Sequence, residues 1–272
     1  MKENIREFKP ETYRGTYKYY IKYRPPIPKE VIDVIVEHFD VKPTDRVLDL
    51  GCGTGQVALA MEGKCGEMVC LDPDPEMLRW AKKVTKHLKM KLTWLNYAAE
   101  DLGKIKKKLG TFKVATCSRA FHRMNQDLVL KELAELIDEK GGVAIFSDMV
   151  LWKGNEEWQQ ALKKILQKYL EGKSQAGKEK PIKPEERWEN ILARSAFKVV
   201  KTYEVTIIRN WNIKSIIGYI FSTAAAAPSL FNEEVNKFKK EVKNILLTLN
   251  PQGVFRENAL WSIVLGSKKL LN

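Results

Sequence analysis

At 272 residues the chain is long enough for one large α/β domain with a sizeable buried core. Its 44% hydrophobic, 10% aromatic and 30% charged residues exclude the disordered, collagenous and disulfide-stapled classes. A net charge of +13 invites nucleic acid, but the basic residues are scattered and mixed with Glu, and only Lys106, Lys107 and Lys108 form a compact run; a solvated Lys-rich surface is the first reading and an anionic small substrate the next.

The first fourteen residues are charged throughout and lack the apolar centre of a secretory signal. Tyr13, Tyr17, Tyr19, Tyr20 and Tyr23 make the N-terminal segment dense in aromatic rings, suited either to surrounding a cationic ligand or to packing on the core. Residues 29–39 place apolar side chains at 31, 32, 35, 36 and 39, a helical stripe that ends before Pro43. Residues 46–50 are almost wholly apolar and run into a glycine cluster, with a short helix from about Gln56, the pattern of a buried parallel strand feeding a turn. The alternation predicts strands over 68–72, 91–95, 112–118 and 143–148 and helices over 75–88 and 128–139, the second ended by Gly141 and Gly142. Beyond lie helices over 156–170 and 185–195, a polar Lys-rich loop over 171–184, and strands over 199–211 and 260–268 with helical segments between.

Strands separated by helices of about a dozen residues point to right-handed βαβ units and an α/β, Rossmann-like, doubly wound and mainly parallel sheet. The expected organisation is an N-terminal helical cap over 1–39, a cofactor-binding core over 40–150, and the rest of the sheet with helical substrate-lid insertions over 151–272, together one catalytic domain. The most apolar stretch, 216–231, contains Ser222, Thr223, Pro228 and Ser229 and falls short of the ~18 continuous apolar residues of a membrane span, so it reads as lid or core. Cys52, Cys65, Cys70 and Cys117 have no zinc-ligand spacing; no metal site is expected, and buried thiols suit a reducing cytoplasm.

Gly51, Gly53 and Gly55 alternate after the first strand, which lets the backbone turn sharply and approach a ligand closely. A dinucleotide fingerprint would place its third glycine one residue later, where Gln56 stands. Asp49 precedes the loop, and Asp72 lies 17 positions beyond Gly55, near the ~20-residue spacing of a carboxylate that accepts from ribose hydroxyls. Asp74 is a nearby alternative for that role, although Pro73 and Pro75 suggest a bend that turns it elsewhere, as to cap the helix from Glu76. The small side chains and carboxylates of residues 96–101 suit an adenine beside backbone amides.

The segments VLDLGCGTG (47–55), CLDPDPEMLRWA (70–81), AAEDL (98–102) and SRAFHRM (118–124), with the glycine pair before the fifth strand, resemble the class I S-adenosylmethionine-dependent methyltransferases. Within them the chain is similar to the small-molecule group that includes trans-aconitate methyltransferase and juvenile hormone acid methyltransferase, closely over 13–150 and loosely beyond. The resemblance implies a seven-stranded sheet whose last strand runs antiparallel to the rest. It implies that Asp49, Gly51, Gly53 and Gly55 hold the methionine portion of S-adenosylmethionine, Asp72 its ribose hydroxyls, and Ala99 and Glu100 its adenine side, with Ser118 at the fourth strand's end in the same set. Residues 23–28 resemble an arginine–proline motif lying over the cofactor through Arg24, and residues 218–222 a substrate-side lid segment through Tyr219. Arg123 stands where relatives often carry Trp after the histidine.

Methyl transfer is an in-line displacement, in which holding nucleophile and methyl group collinear can supply ~7 to 11 kcal/mol. A carboxylate acceptor needs no base, whereas a phenol, alcohol or protonated amine loses a proton; His122 is the candidate base, and equally a candidate packing or cofactor-contact residue. Arg119 offers a planar fork for an anionic substrate or a surface ion pair, and Tyr17 and Tyr219 are further candidates on the substrate side. The leading expectation is a methyltransferase acting on a small molecule, with nucleic acid and membrane disfavoured and the oligomeric state open between monomer and homodimer. An RNA or other macromolecule methyltransferase, an NAD-binding oxidoreductase and a non-catalytic cofactor-binding protein remain alternatives.

Overall fold

The computed structural model describes residues 15–171 and 186–270. The first predicted strand, β1 (Arg46–Leu50), lies inside a seven-stranded sheet of order β3-β2-β1-β4-β5-β7-β6. Its parallel neighbours are β2 (Glu67–Leu71) and β4 (Phe112–Ser118); β3 (Lys91–Leu95) flanks β2, and β5 (Ile137–Asp148) flanks β4. β7 (Val254–Ser267) runs antiparallel to both β5 and β6 (Val199–Asn212), so one late strand is reversed. Because β1 and β2 are covered on both faces, their runs are apolar rather than alternating.

Successive residues of β1 serve opposite faces, as strand geometry requires. Val47 joins α2 (Lys29–Phe39), α3 (Gln56–Ala60) and α4 (Pro75–Val84) through Ile32, Phe39, Ala58 and Leu78. Leu48 and Leu50 join α5 (Leu102–Leu109), α6 (Gln126–Leu136) and α8 (Trp188–Ala193) through Leu102, Leu133 and Leu192. A third apolar cluster forms away from the sheet centre, where α7 (Glu157–Leu170), α9 (Ile213–Phe221) and α10 (Val235–Leu249) bury Leu162, Tyr219, Phe231 and Phe238. Tyr19 of the N-terminal α1 (Tyr17–Tyr23) packs against this cluster, its ring 5.3 Å from that of Phe221.

Several expected boundaries move. The helix expected over 75–88 stops at Val84, where Thr85 turns both its N–H and its hydroxyl onto the Ala81 carbonyl. The helix expected over 128–139 runs from Gln126 to Leu136, because Ile137 is extended and buried opposite Phe112. Gly141 and Gly142 therefore do not end a helix but lie within β5, and a Cβ on Gly142 would strike the Gly266 carbonyl and the Phe39 ring. The strand expected over 260–268 begins at Val254, its polar inward residue Glu257 having hidden the alternation. Helix α5 was not expected; its apolar residues Leu102, Ile105 and Leu109 lie among the lysines 106–108. Tyr13 and most of the polar loop expected over 171–184 lie outside the described residues.

Candidate cofactor and substrate site

Parallel strands present their carboxyl ends along one edge of the sheet, and loops following β1, β2 and β4 meet there. The glycine loop follows β1 with Gly51, Gly53 and Gly55 at φ +63°, +53° and +79°, backbone that L side chains rarely adopt. A Cβ on Gly51 would lie 2.7 Å from that of Ala120, whereas nothing lies within 4 Å of where one on Gly53 would be. The middle of the loop therefore faces open space, a cradle that a side chain would fill.

Asp72 braces this loop, and Asp49 lies in the strand that feeds it. Asp49 is fully buried; Oδ1 accepts the Thr116 hydroxyl at 2.8 Å, and Oδ2 has no partner. Burial pushes its carboxyl up to about 7, the Thr116 hydrogen bond acting against that rise and the Asp72 charge adding to it. Asp72 accepts the Gly53 N–H at 2.7 Å on Oδ2 and the Asp74 N–H at 2.9 Å on Oδ1. Burial lifts it to about 6, against those two hydrogen bonds. Asp74 caps α4 by accepting the N–H groups of Glu76 and Met77. Ser118, at the end of β4, has its hydroxyl buried without a partner. Open space at Gly53 and the unpaired Asp49 and Ser118 oxygens fit a polar ligand on the loop.

On the proposed adenine side, Ala99 is buried in the core cluster, and Glu100 accepts the Asn125 N–H at 2.7 Å, bracing that segment against the start of α6. His122 sits on the exposed side of a short helical turn, Phe121–Arg123, rather than in the interior. Tyr17 is half-buried on α1, within electrostatic reach of Arg79 on α4.

Arg119 departs from both expectations held for it, the substrate fork and the surface ion pair. Its backbone is left-handed at φ +58°, and its side chain, 8% exposed, grips Asp148 through Nε at 2.6 Å and Nη2 at 2.9 Å. Nη1 donates to Gln56 at 2.9 Å, at the start of the helix after the glycine loop. The fork that the sequence offered to a substrate is thus already filled by Asp148, and it links the β5 end to the cofactor loop. Burial alone would raise the Asp148 carboxyl, but Arg119, Arg209 and Arg24 hold it well below the usual carboxylate range. Arg24 lies over the rings of Tyr20 and Tyr219, at 5.2 and 4.8 Å. Tyr219 is buried beneath it with Trp211 and Trp152 alongside. Sequence reasoning singled out Arg24, Arg119 and Tyr219 but missed Asp148, Arg209 and Glu257. The signal present was a charged residue on the inward parity of a strand: Arg209 between Ile207 and Trp211, and Glu257 between Phe255 and Ala259.

Residues 47–141 match a family described as a methyltransferase domain. Over 130 residues the chain is 25% identical to CRG1 of Saccharomyces cerevisiae, which is named as a probable S-adenosylmethionine-dependent methyltransferase; the match covers 47% of this chain and 44% of that protein. The chain thus spans under half the length of this curated relative. Among solved structures, one assigned to a type II methyltransferase of Anaeromyxobacter dehalogenans superposes with a TM-score of 0.59 at 18% identity, over 90% of this chain and 97% of that one. An N-methyltransferase from Haemonchus contortus, solved with phosphomonomethylethanolamine and S-adenosylhomocysteine, superposes with a TM-score of 0.53 at 15% identity, over 95% of this chain and 58% of that one. These structural likenesses establish the fold.

Proposed function

We propose that this chain, which belongs to the S-adenosylmethionine-dependent methyltransferases through its residues 47–141, transfers a methyl group to a small molecule carrying an anionic group. The observation that carries this reading is the glycine loop, open at Gly53 and braced by Asp72, inside the segment that matches the methyltransferase domain. S-adenosylmethionine would supply a methyl group activated by a positive sulfur. Asp72 would accept from the ribose hydroxyls with the lone pairs not taken by Gly53 and Asp74. Gly51, Gly53 and Gly55 would admit the methionine portion, with the unpaired oxygens of Asp49 and Ser118 nearby, and Ala99 and Glu100 would border the adenine.

The division into a cap over 1–39, a core over 40–150 and lid insertions over 151–272 forms part of the same proposal. It is supported by the separate apolar cluster of α7, α9 and α10 and by the packing of α1 on α9. Such covering elements must open for ligand exchange. A small substrate is supported by the rings of Tyr20 and Tyr219 against Arg24, with Trp211 beside Tyr219. His122 would act as a base only for an acceptor reaching the exposed rim. Four free, buried cysteines suit the reducing cytoplasm in which we place the reaction.

A thermal-shift and calorimetric comparison of S-adenosylmethionine, S-adenosylhomocysteine, NAD and an oligonucleotide tests the reading. A ligand at 100 times its Kd stabilises the native state by about 2.7 kcal/mol. The two sulfur nucleosides are expected to raise Tm and the other two to leave it unchanged; a shift with NAD alone would overturn the assignment.

A further inference from the structure

The two outer strands of the sheet are built differently. β3 is 5 residues long and begins at the exposed Lys91, whereas β6 is 14 residues long and pairs with β7 without a break from Val199 to Asn212. β6 contains neither proline nor glycine, and its register carries no bulge. Shortness, proline, bulges and outward charges are the devices that keep an edge from pairing with another chain. β3 has the first and the last of these. On β6 the exposed charges are Lys201 and Glu204, both in its first half, because Arg209 is turned inward onto Asp148.

The two faces of β6 differ as well. Tyr203, Val205 and Ile207 pack on the apolar cluster that contains α2, and Trp211 is buried. The alternate residues from Thr202 to Asn212 are exposed, Ile208 by 56%. Beyond Glu204 this open face carries Thr206, Ile208, Asn210 and Asn212, with no charge among them. The outer edge of such a strand presents N–H and C=O groups in alternation, a row that another strand can meet in register.

We propose that β6 is a docking edge for a second copy of this chain, the two strands pairing antiparallel about a two-fold axis at Ile207 so that one sheet runs through both protomers. The strand is self-complementary in that register, where residues directly opposite share a face. Ile207 meets its own counterpart, Thr206 meets Ile208, Val205 meets Arg209, and Glu204 meets Asn210. An axis one residue earlier sets Glu204 against Ile208, and two residues earlier it opposes Lys201 to Arg209, which like charge disfavours. The exposed Lys201 and Glu204 offset each other, so the +13 charge of the whole chain acts on this edge from a distance and is screened by salt. A standard stable interface takes about 20 to 30 residues a side, and residues 202–212 supply about half of that, so the dimer is reversible and depends on concentration. This association is separate from methyl transfer and does not rest on it.

The test is sedimentation velocity of the full chain over a wide range of protein concentration, where monomer is expected to pass into dimer. Ile208→Lys places a lysine near its own copy at the centre of the contact. It is expected to weaken association by about tenfold or more, since the substitution acts twice in a symmetric interface, while the thermal midpoint stays unchanged. Thr206→Lys serves the same purpose should Ile208→Lys fold poorly. The register is read by disulfide crosslinking under a mild oxidant, for which the buried native cysteines do not compete. Ile207→Cys is expected to crosslink to its own copy, because directly opposite residues hold their Cα atoms about 4.5 to 5.5 Å apart, within disulfide reach. Lys201→Cys, placed far from its counterpart in this register, is expected not to. A monomer at every concentration, a dimer that both lysine variants leave intact, or failure of Ile207→Cys to crosslink overturns the proposal, as does crosslinking through Lys201→Cys.

Discussion

Asp72 Oδ2 accepts the Gly53 N–H at 2.7 Å, which ties the end of the second strand to the middle of the glycine loop. One carboxylate thereby shapes the loop and stands ready for the ribose. Asp72→Ala is expected to weaken S-adenosylhomocysteine binding by tenfold or more, since hydrogen bonds to a charged group contribute about 1.5 to 3 kcal/mol. An unchanged dissociation constant by calorimetry would remove Asp72 from the cofactor site.

Gly53 and Gly51 should respond differently to a side chain. The Cβ of Gly53→Val meets no atom within 4 Å, so the fold is expected to survive with a loss of about 1 to 2 kcal/mol from the left-handed backbone, while cofactor binding is lost. Gly51→Ala drives a Cβ against Ala120 and is expected to lower Tm further than Gly53→Ala does. Calorimetric scans of the three variants check the order, and full affinity in Gly53→Val would show that the loop serves another purpose.

The buried Asp49 sets a pH dependence. A carboxyl lifted to about 7 in the folded protein, against 3.8 ordinarily, holds its proton better folded than unfolded. Its effect is therefore neutral below about pH 4 and increasingly destabilising as pH rises through about 7. Urea unfolding of Asp49→Asn is expected to show a gain over the wild type that grows between pH 4 and 8, on the order of 4 kcal/mol, since each tenfold change in proton affinity corresponds to about 1.4 kcal/mol. A constant difference across that range would show that Asp49 ionises freely.

The Arg119–Asp148 pair should behave as a buried one. Arg119→Ala leaves the Asp148 carboxylate hydrogen-bonded to Arg209 alone and is expected to cost about 3 to 5 kcal/mol in chemical unfolding, with Arg119→Lys recovering part of it. A loss below about 1 kcal/mol, the range of surface pairs, would contradict its burial.

Attachment of the N-terminal helix depends on Gly218, where a Cβ would strike the Tyr23 ring. Gly218→Ala is expected to lift α1 from α9, making residues 15–28 more sensitive to protease and reducing the protection that S-adenosylhomocysteine gives them in hydrogen exchange. Identical cleavage rates in both proteins would count against α1 as a cover.

The amino-acid sequence by itself determined the parts of this protein that local chemistry dictates. The runs 46–50 and 112–118 were legible as buried parallel strands and 91–95 as a strand, which lies half-buried at the sheet edge, and the 51–55 glycines had to turn sharply where Asp72 would meet them. Asp74 was legible as a cap because two prolines and the helix start surround it. Only the tertiary structure decided what depends on partners distant in sequence. Ile137 left its helix because Phe112, in an adjacent strand, gave it a buried partner. Arg119 turned inward because Asp148 waits 29 residues later, and Arg209 and Glu257 took inward positions that an apolar pattern cannot announce. Periodicity records which face a residue occupies; it does not record which charge stands opposite, and that pairing decides whether an arginine is a surface group, a brace or an anion's partner.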